Sequence, residues 1–127
     1  MPRLPKFDRV LVVVRPHGGY IMSGQKTALV KSRRYYMENE VLLVIQNKHA
    51  LGTLRLAPPS TISLSGFRRL RKRHLVTEEE RKRWWPRKTK FYLYDVVSVR
   101  PLRRPVAVDY PQGPQVFVRK ENLVILG

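Results

Sequence analysis

The sequence predicts a mainly β protein with short helices, an α+β chain built on a small mixed or antiparallel β-barrel that carries a basic helical insertion. Three observations predict it. Apolar, β-branched runs of strand length recur along the chain, from Val10–Val14 to Leu123–Leu126. Proline- and glycine-containing breaks separate them at short intervals, as in small barrels. The one strong helix-start signal, Thr77 followed by Glu80, falls inside a single basic segment. With 127 residues, 43% of them hydrophobic, residues 1–127 are expected to form one domain around one core.

Residues 9–15 (Arg-Val-Leu-Val-Val-Val-Arg) read as a strand buried on both faces, because the apolar run is continuous and bracketed by charge. Pro16-His-Gly-Gly19 breaks it, and Tyr20–Gly24 predicts a helical turn with Gly24 as its C-terminal stop. A second strand is expected over Thr27–Arg34, with Leu29 facing opposite to Ala28 and Val30. Val41–Ile45 is a third strand and Gly52–Leu56 a fourth, with Asn47–Leu51 as the turn between them. Pro58-Pro59 bends the chain before Thr61–Leu64, which continues the fourth strand around a barrel corner. The basic segment is predicted helical. Thr77 and Glu80 form a capping box, Glu78, Glu79 and Glu80 favour the positive end of the helix dipole, and Pro86 ends the helix. Lys90–Arg100 is the clearest strand, with Phe91 and Leu93 on one face and Tyr92, Tyr94 and Val96 on the other. Short strands over Val106–Asp109, Val116–Arg119 and Leu123–Leu126 complete the tail.

Charge points to a partner. Lys plus Arg number 26 against 9 acids, a formal charge of +17. Residues 68–90 are the densest part, with Arg68, Arg69, Arg71, Lys72, Arg73, Arg81, Lys82, Arg83, Arg87, Lys88 and Lys90 against only Glu78, Glu79 and Glu80. Such a surplus repels itself unless a polyanion is near. Nucleic acid, RNA above all, is the expected partner. Arginine predominates over lysine, and a guanidinium fork suits phosphate and base edges. Trp84 and Trp85 adjoin the basic run; adjacent helical positions point about 100° apart, so one is expected in the core and at most one as a base-stacking platform. The apolar runs are too short to span a bilayer, and the N-terminus lacks a secretory apolar core, so no membrane partner and a cytoplasmic location are expected. Without cysteine there is neither disulfide nor thiol chemistry, and His17, His49 and His74 lack ligand spacing, so no metal or cofactor is expected.

The stretch Tyr20-Ile-Met-Ser-Gly24-Gln25-Lys26-Thr27-Ala-Leu-Val-Lys31 resembles the ASCH domain of the PUA-like superfamily. Gly24 and Lys26 match its glycine–x–lysine signature, and Lys31 stands where an arginine is usual. The aromatic strand after Trp85-Pro86, Phe91-Tyr-Leu-Tyr-Asp-Val96, is similar to the strand that follows the inserted helix in that family. The resemblance implies a barrel with a cleft into which the lysine points, and RNA, with a modified or flipped base, as its ligand. Lys26, Lys31, Arg33 and Arg34 would then line the cleft. Arg68, Arg69, Arg71, Lys72, Arg73, Arg81, Arg83, Arg87 and Lys88 would hold the backbone, with Trp84 beside them. The bland alternatives are that Gly24 is only a helix cap and that the cations are a solvated face.

Two further functions are weighed. Some small ASCH proteins are amidohydrolases on acylated cytidines, which would make Lys26 a catalytic candidate. The hydroxyl that such chemistry needs three residues later is Leu29, however, leaving Thr27 as a weak substitute. The glutamates are expected at a helix N-terminus, exposed and ionised, where they make poor general acids. A structural subunit of a ribonucleoprotein would also suit a charge of +17, but the chain shows a compact barrel pattern rather than a long basic tail.

Overall fold

The computed structural model describes residues 4–113 and 116–127. Strand β1 (Arg9–Val13) is followed by α1 (His17–Ser23), β2 (Ala28–Lys31), β3 (Leu42–Gln46), β4 (His49–Leu56) and β5 (Ser60–Ser63). Three short helices come next, α2 (Leu64–Arg69), α3 (Arg71–His74) and α4 (Glu78–Trp84). Strand β6 (Lys90–Asp109), β7 (Phe117–Val118), a 3₁₀ turn over Lys120–Asn122 and β8 (Val124–Ile125) end the described chain. The strands make one curled sheet in the order β2-β6-β4-β3-β1-β7. Strand β5 pairs with the start of β6, and β8 with its end. All these pairings are antiparallel except β1 with β3. The result is a mainly β half-barrel with a few short helices.

Alternation along the strands sorts the apolar residues into layers. Leu11, Leu42, Val44, Leu54, Leu56 and Tyr94 fill the inside of the curl with Ile21 and Leu29. Val10, Leu43, Ile45, Ala50 and Val108 face the other way and are covered by Leu4, Phe7, Leu123 and Tyr110. That is why the run in β1 is continuous: both of its faces are covered. A third cluster, Ala28, Val30, Phe67, Val76, Phe91 and Leu93, seats the helices against β2 and β6, with Trp84 and Trp85 packed on its edge.

Several element boundaries differ from expectation, each for a local reason. Helix α1 begins at His17, three residues earlier than the turn predicted from Tyr20. The β3–β4 turn is only Asn47-Lys48, both at positive φ (51° and 58°), so β4 starts at His49 and the residues through Leu51 are strand. Leu64 leaves the predicted strand and opens α2, because Ser63 caps that helix by accepting from the Gly66 N–H at 3.1 Å. Strand β6 does not stop at Arg100. It runs through Pro101 and Pro105 to Asp109, absorbing them where its register with β4 shifts between Ala50 and Gly52. The separate strand predicted over Val106–Asp109 is the end of that long strand. Gly52 permits the crossing, since a Cβ there would lie 2.5 Å from the Arg100 carbonyl oxygen and 2.6 Å from Met22 Sδ.

Candidate functional site

The edge strands of the sheet are β2 and β7, and a cleft of about 230 Å³ lies between β2 and the β1–β7 end of the sheet. Val12–Val14 and Val116 form one wall, and Leu29, Val30 and Lys31 of β2 the other. His17 and Ile21 of α1 close one side, and Val76, Trp84 and Trp85 another. Gly24 ends α1 in the left-handed conformation (φ 84°), as the sequence predicts. The turn that follows delivers Lys26 into the cleft at the entry to β2.

Lys26 is only 5% exposed. Its Nζ donates to the carbonyl oxygen of His74. Burial, then the nearby Lys31, pull the Lys26 ammonium down to about 7 against the opposing attraction of Glu80. Burial also draws Lys31 down to about 8. The His74 carbonyl is held in place by its own side chain. Its Nδ1 accepts from the Val76 N–H at 2.9 Å, so its Nε2 donates to the Phe67 carbonyl at 2.8 Å, and the ring stacks on Phe67. Burial drives this imidazole down to about 4, so it is neutral.

His17, 5% exposed, lies at 2.9 Å from Glu80 through Nε2. Burial and Lys26 lower its pKa, although the bond to Glu80 opposes them. Burial pulls the Glu80 carboxyl upward, but hydrogen bonds from Thr77 and His17 outweigh it and leave the group below the ordinary carboxylate value. An ionised carboxylate only accepts, so the ring proton sits on Nε2. His17 Nδ1 is buried without a hydrogen-bond partner among the described residues. Glu80 thus departs from its expected place as an exposed cap. One oxygen accepts from the Thr77 N–H, completing the predicted capping box, while the other faces His17. Trp84 and Trp85 also depart from expectation: both are half-buried, both line the cleft, and their rings meet edge to face at 5.6 Å. Trp85 lies outside the helix (φ −139°, ψ 59°), so the helical offset does not separate the two rings.

The expected cations sort into three groups. Lys26 and Lys31 line the cleft. Arg33 and Arg34 do not. Arg33 lies over the Tyr35 ring, while Arg34 pairs with Glu38 and lies over Tyr36. On the helices, Arg68 pairs with Glu78 and Arg73 with Asp95. Arg81 is buried, 2.9 Å from Glu78, rather than on the surface with its neighbours. Arg69, Arg71, Lys72, Arg83, Arg87 and Lys88 are exposed and enter no ion pair among the described residues. Thr27 is exposed and outside the cleft, with its backbone tied to Arg73 and Val96. Among the described residues no group of three or more His, Asp or Glu is placed to hold a metal, and no helix is long and apolar enough to cross a membrane.

Sequence reasoning missed His17, His74 and the inward role of Glu80. The capping box was visible, but a carboxylate's second partner 63 positions away was not. It also missed Arg55, Arg100, Arg103 and Arg104, exposed cations carried on β4 and the extended β6.

No protein-family profile matches the chain, and no curated protein matches it in sequence. Solved structures do. The ASCH protein from Zymomonas mobilis superposes with a TM-score of 0.73 at 18% identity, covering 90% of this chain and 89% of that one. A serine-to-alanine mutant of it gives the same values. A tyrosine-to-phenylalanine mutant gives a TM-score of 0.70 at 18% identity, covering 90% and 91%. At that identity the likeness establishes the architecture: this chain has the curled, mainly β fold of the Zymomonas ASCH protein.

Proposed function

We propose that this protein is a nucleic-acid-binding module, with RNA as its ligand, whose helical cations hold the backbone while the cleft receives one element of the strand. The observation that carries this reading is the unpaired cationic surface of α2–α4 beside a cleft holding two lysines. Two of its three acids are already engaged, Glu78 between Arg68 and Arg81 and Glu80 facing His17, which leaves Glu79. Arg69, Arg71, Lys72, Arg83, Arg87 and Lys88 enter no ion pair among the described residues, and Glu79 alone cannot balance six cations, which suits them to phosphates. The fold shared with an ASCH protein is compatible with this use, as is the pair of indole rings in the cleft wall.

If about six to ten cations meet phosphates, affinity for single-stranded RNA should fall roughly 10³- to 10⁵-fold between 50 and 200 mM salt. A flat salt response in a filter-binding or anisotropy titration contradicts the reading. Arg71→Ala should weaken all RNA ligands about equally, whereas Lys26→Ala should change the ranking among them. The amidohydrolase alternative gains nothing from the geometry, because Leu29 occupies the cleft wall at the position where a hydroxyl was required.

A further inference from the structure

Lys26 and Lys31 differ from the cations around them. They line a cleft together, yet neither enters an ion pair among the described residues. Lys26 Nζ uses one of its N–H groups, on the His74 carbonyl; Lys31 Nζ makes no hydrogen bond to a described residue. The charged or titratable groups that line the cleft with them or act on them are His17 from α1, Tyr35 beyond β2, His74 from α3 and Glu80 from α4. His74 is neutral, and the Glu80 carboxylate is already engaged by Thr77 and His17. The one carboxylate that acts on Lys26 is therefore already occupied, and on Lys31 only burial acts. Ammonium groups taken from water without a counter-charge are destabilising, and an entering anion relieves that.

Charge and oxygen count select the anion. An internal phosphodiester brings one negative charge and two free oxygens. A phosphate monoester brings up to two charges and three acceptor oxygens, matching two ammonium groups with spare N–H donors. The indole rings of Trp84 and Trp85 line the same cleft, Trp84 beside His17, where the attached sugar and base would lie. We propose that the cleft seats a phosphate monoester between Lys26 and Lys31, taking up protons as it binds, the phosphate being either the terminus of a nucleic-acid strand or that of a free nucleotide. Only the choice of what carries the phosphate rests on the nucleic-acid reading above.

The protons go to the lysine amines. Free, Lys26 is about half-charged near neutrality and Lys31 loses its proton about a unit higher. A dianion beside them raises both, so each –NH₂ captures a proton from solvent and becomes –NH₃⁺. His17 Nδ1 is a third site that the anion makes easier to protonate. Affinity should then decline as pH rises from about 7 toward 9, where binding must supply the missing protons. It should also decline below about pH 6, where the phosphate loses its second charge.

Calorimetric titrations at about pH 7.5, in two buffers of different ionisation heat, test this directly. The ligands are one short RNA with a 5′-phosphate, a 3′-phosphate or two free hydroxyl ends, together with AMP and adenosine. A terminal phosphate should tighten RNA binding by about ten- to a hundredfold, or AMP should bind where adenosine does not, with net proton uptake in either case. The first result makes a strand end the source and the second a free nucleotide. Lys31→Met should abolish the preference without lowering the thermal midpoint. Indifference to phosphate in both comparisons overturns the cleft assignment while leaving salt-dependent RNA binding intact. A preference without proton uptake, or one that survives Lys31→Met, overturns the role of the two lysines. Failure of every RNA to bind at low salt sinks the nucleic-acid reading instead, and AMP against adenosine then decides the cleft alone.

Discussion

Lys26 is the residue whose charge the fold tolerates least. Its ammonium group titrates near 7 in the folded chain against 10.5 ordinarily, so between those values the unfolded chain binds the extra proton. Stability contributed by this site therefore rises with pH through that window, and the full penalty is present below about 7. Lys26→Met should raise the free energy of unfolding at pH 6 by a few kcal/mol, less the loss of one bond to the His74 carbonyl, and the gain should shrink toward pH 10. Urea denaturation at several pH values checks it; a destabilised variant at pH 6 would mean that the ammonium is better compensated than its surroundings indicate. His74 acts in the same direction at lower pH. Held neutral down to about 4, it favours unfolding as pH falls below 6.5. Of these groups only Lys26 was legible in the sequence, through its spacing from Gly24. His17 carries no local signal, because chain closure brings its partner Glu80 from 63 positions away; the His74 ring bonds locally to Phe67 and Val76, but its carbonyl meets Lys26 only across 48 positions.

At the scale of elements, helix α4 shows how a local signal acquires a second use. Thr77 and Glu80 form the capping box that their spacing predicts, with bonds of 3.1 and 2.9 Å. Thr77→Ala should cost about 1 kcal/mol and Thr77→Ser much less, measured by urea midpoint. Glu80→Ala should cost more than Thr77→Ala, because it also leaves the buried His17 Nε2–H without its acceptor. Equal losses would show that the His17 contact contributes nothing. Gly24→Ala forces a side chain into the left-handed region at φ 84° and should cost about 1 kcal/mol, although nothing lies within 4 Å of the new methyl. The strands were legible where an apolar run was continuous, as in β1 and β3, or rich in aromatic and β-branched residues, as in the first half of β6. The second half of β6 was not, because Pro101 and Pro105 signal a loop locally, while the pairing with β4 accommodates them by shifting register.

For the whole molecule, a formal charge of +17 makes self-repulsion a global term. Five of the acids are engaged in ion pairs, Glu38, Glu40, Glu78, Asp95 and Asp109, and Glu80 is taken up by hydrogen bonds from Thr77 and His17, so little local compensation remains. Raising ionic strength from about 10 mM to 150 mM, where the Debye length is about 8 Å, should raise the thermal midpoint while weakening RNA binding. A midpoint that falls with salt would show that the ion pairs outweigh the repulsion. The opposed signs follow from one cause: salt screens like charges within the protein and attraction to the ligand alike.

Composition and periodicity by themselves determined that this chain is basic, mainly β, punctuated by short helices and capped at Thr77, because charge, alternation and capping are properties of neighbouring residues. They also marked Gly24 and Lys26 as a turn feeding a strand. Only the tertiary structure decided which cations are free, since that depends on which acids distant segments deliver: Arg9 meets Glu40, Lys48 meets Asp109, and Arg73 meets Asp95. It alone decided that Lys26, Lys31, His17 and both indoles share one seam, because a cleft exists only where the two ends of a curled sheet come together.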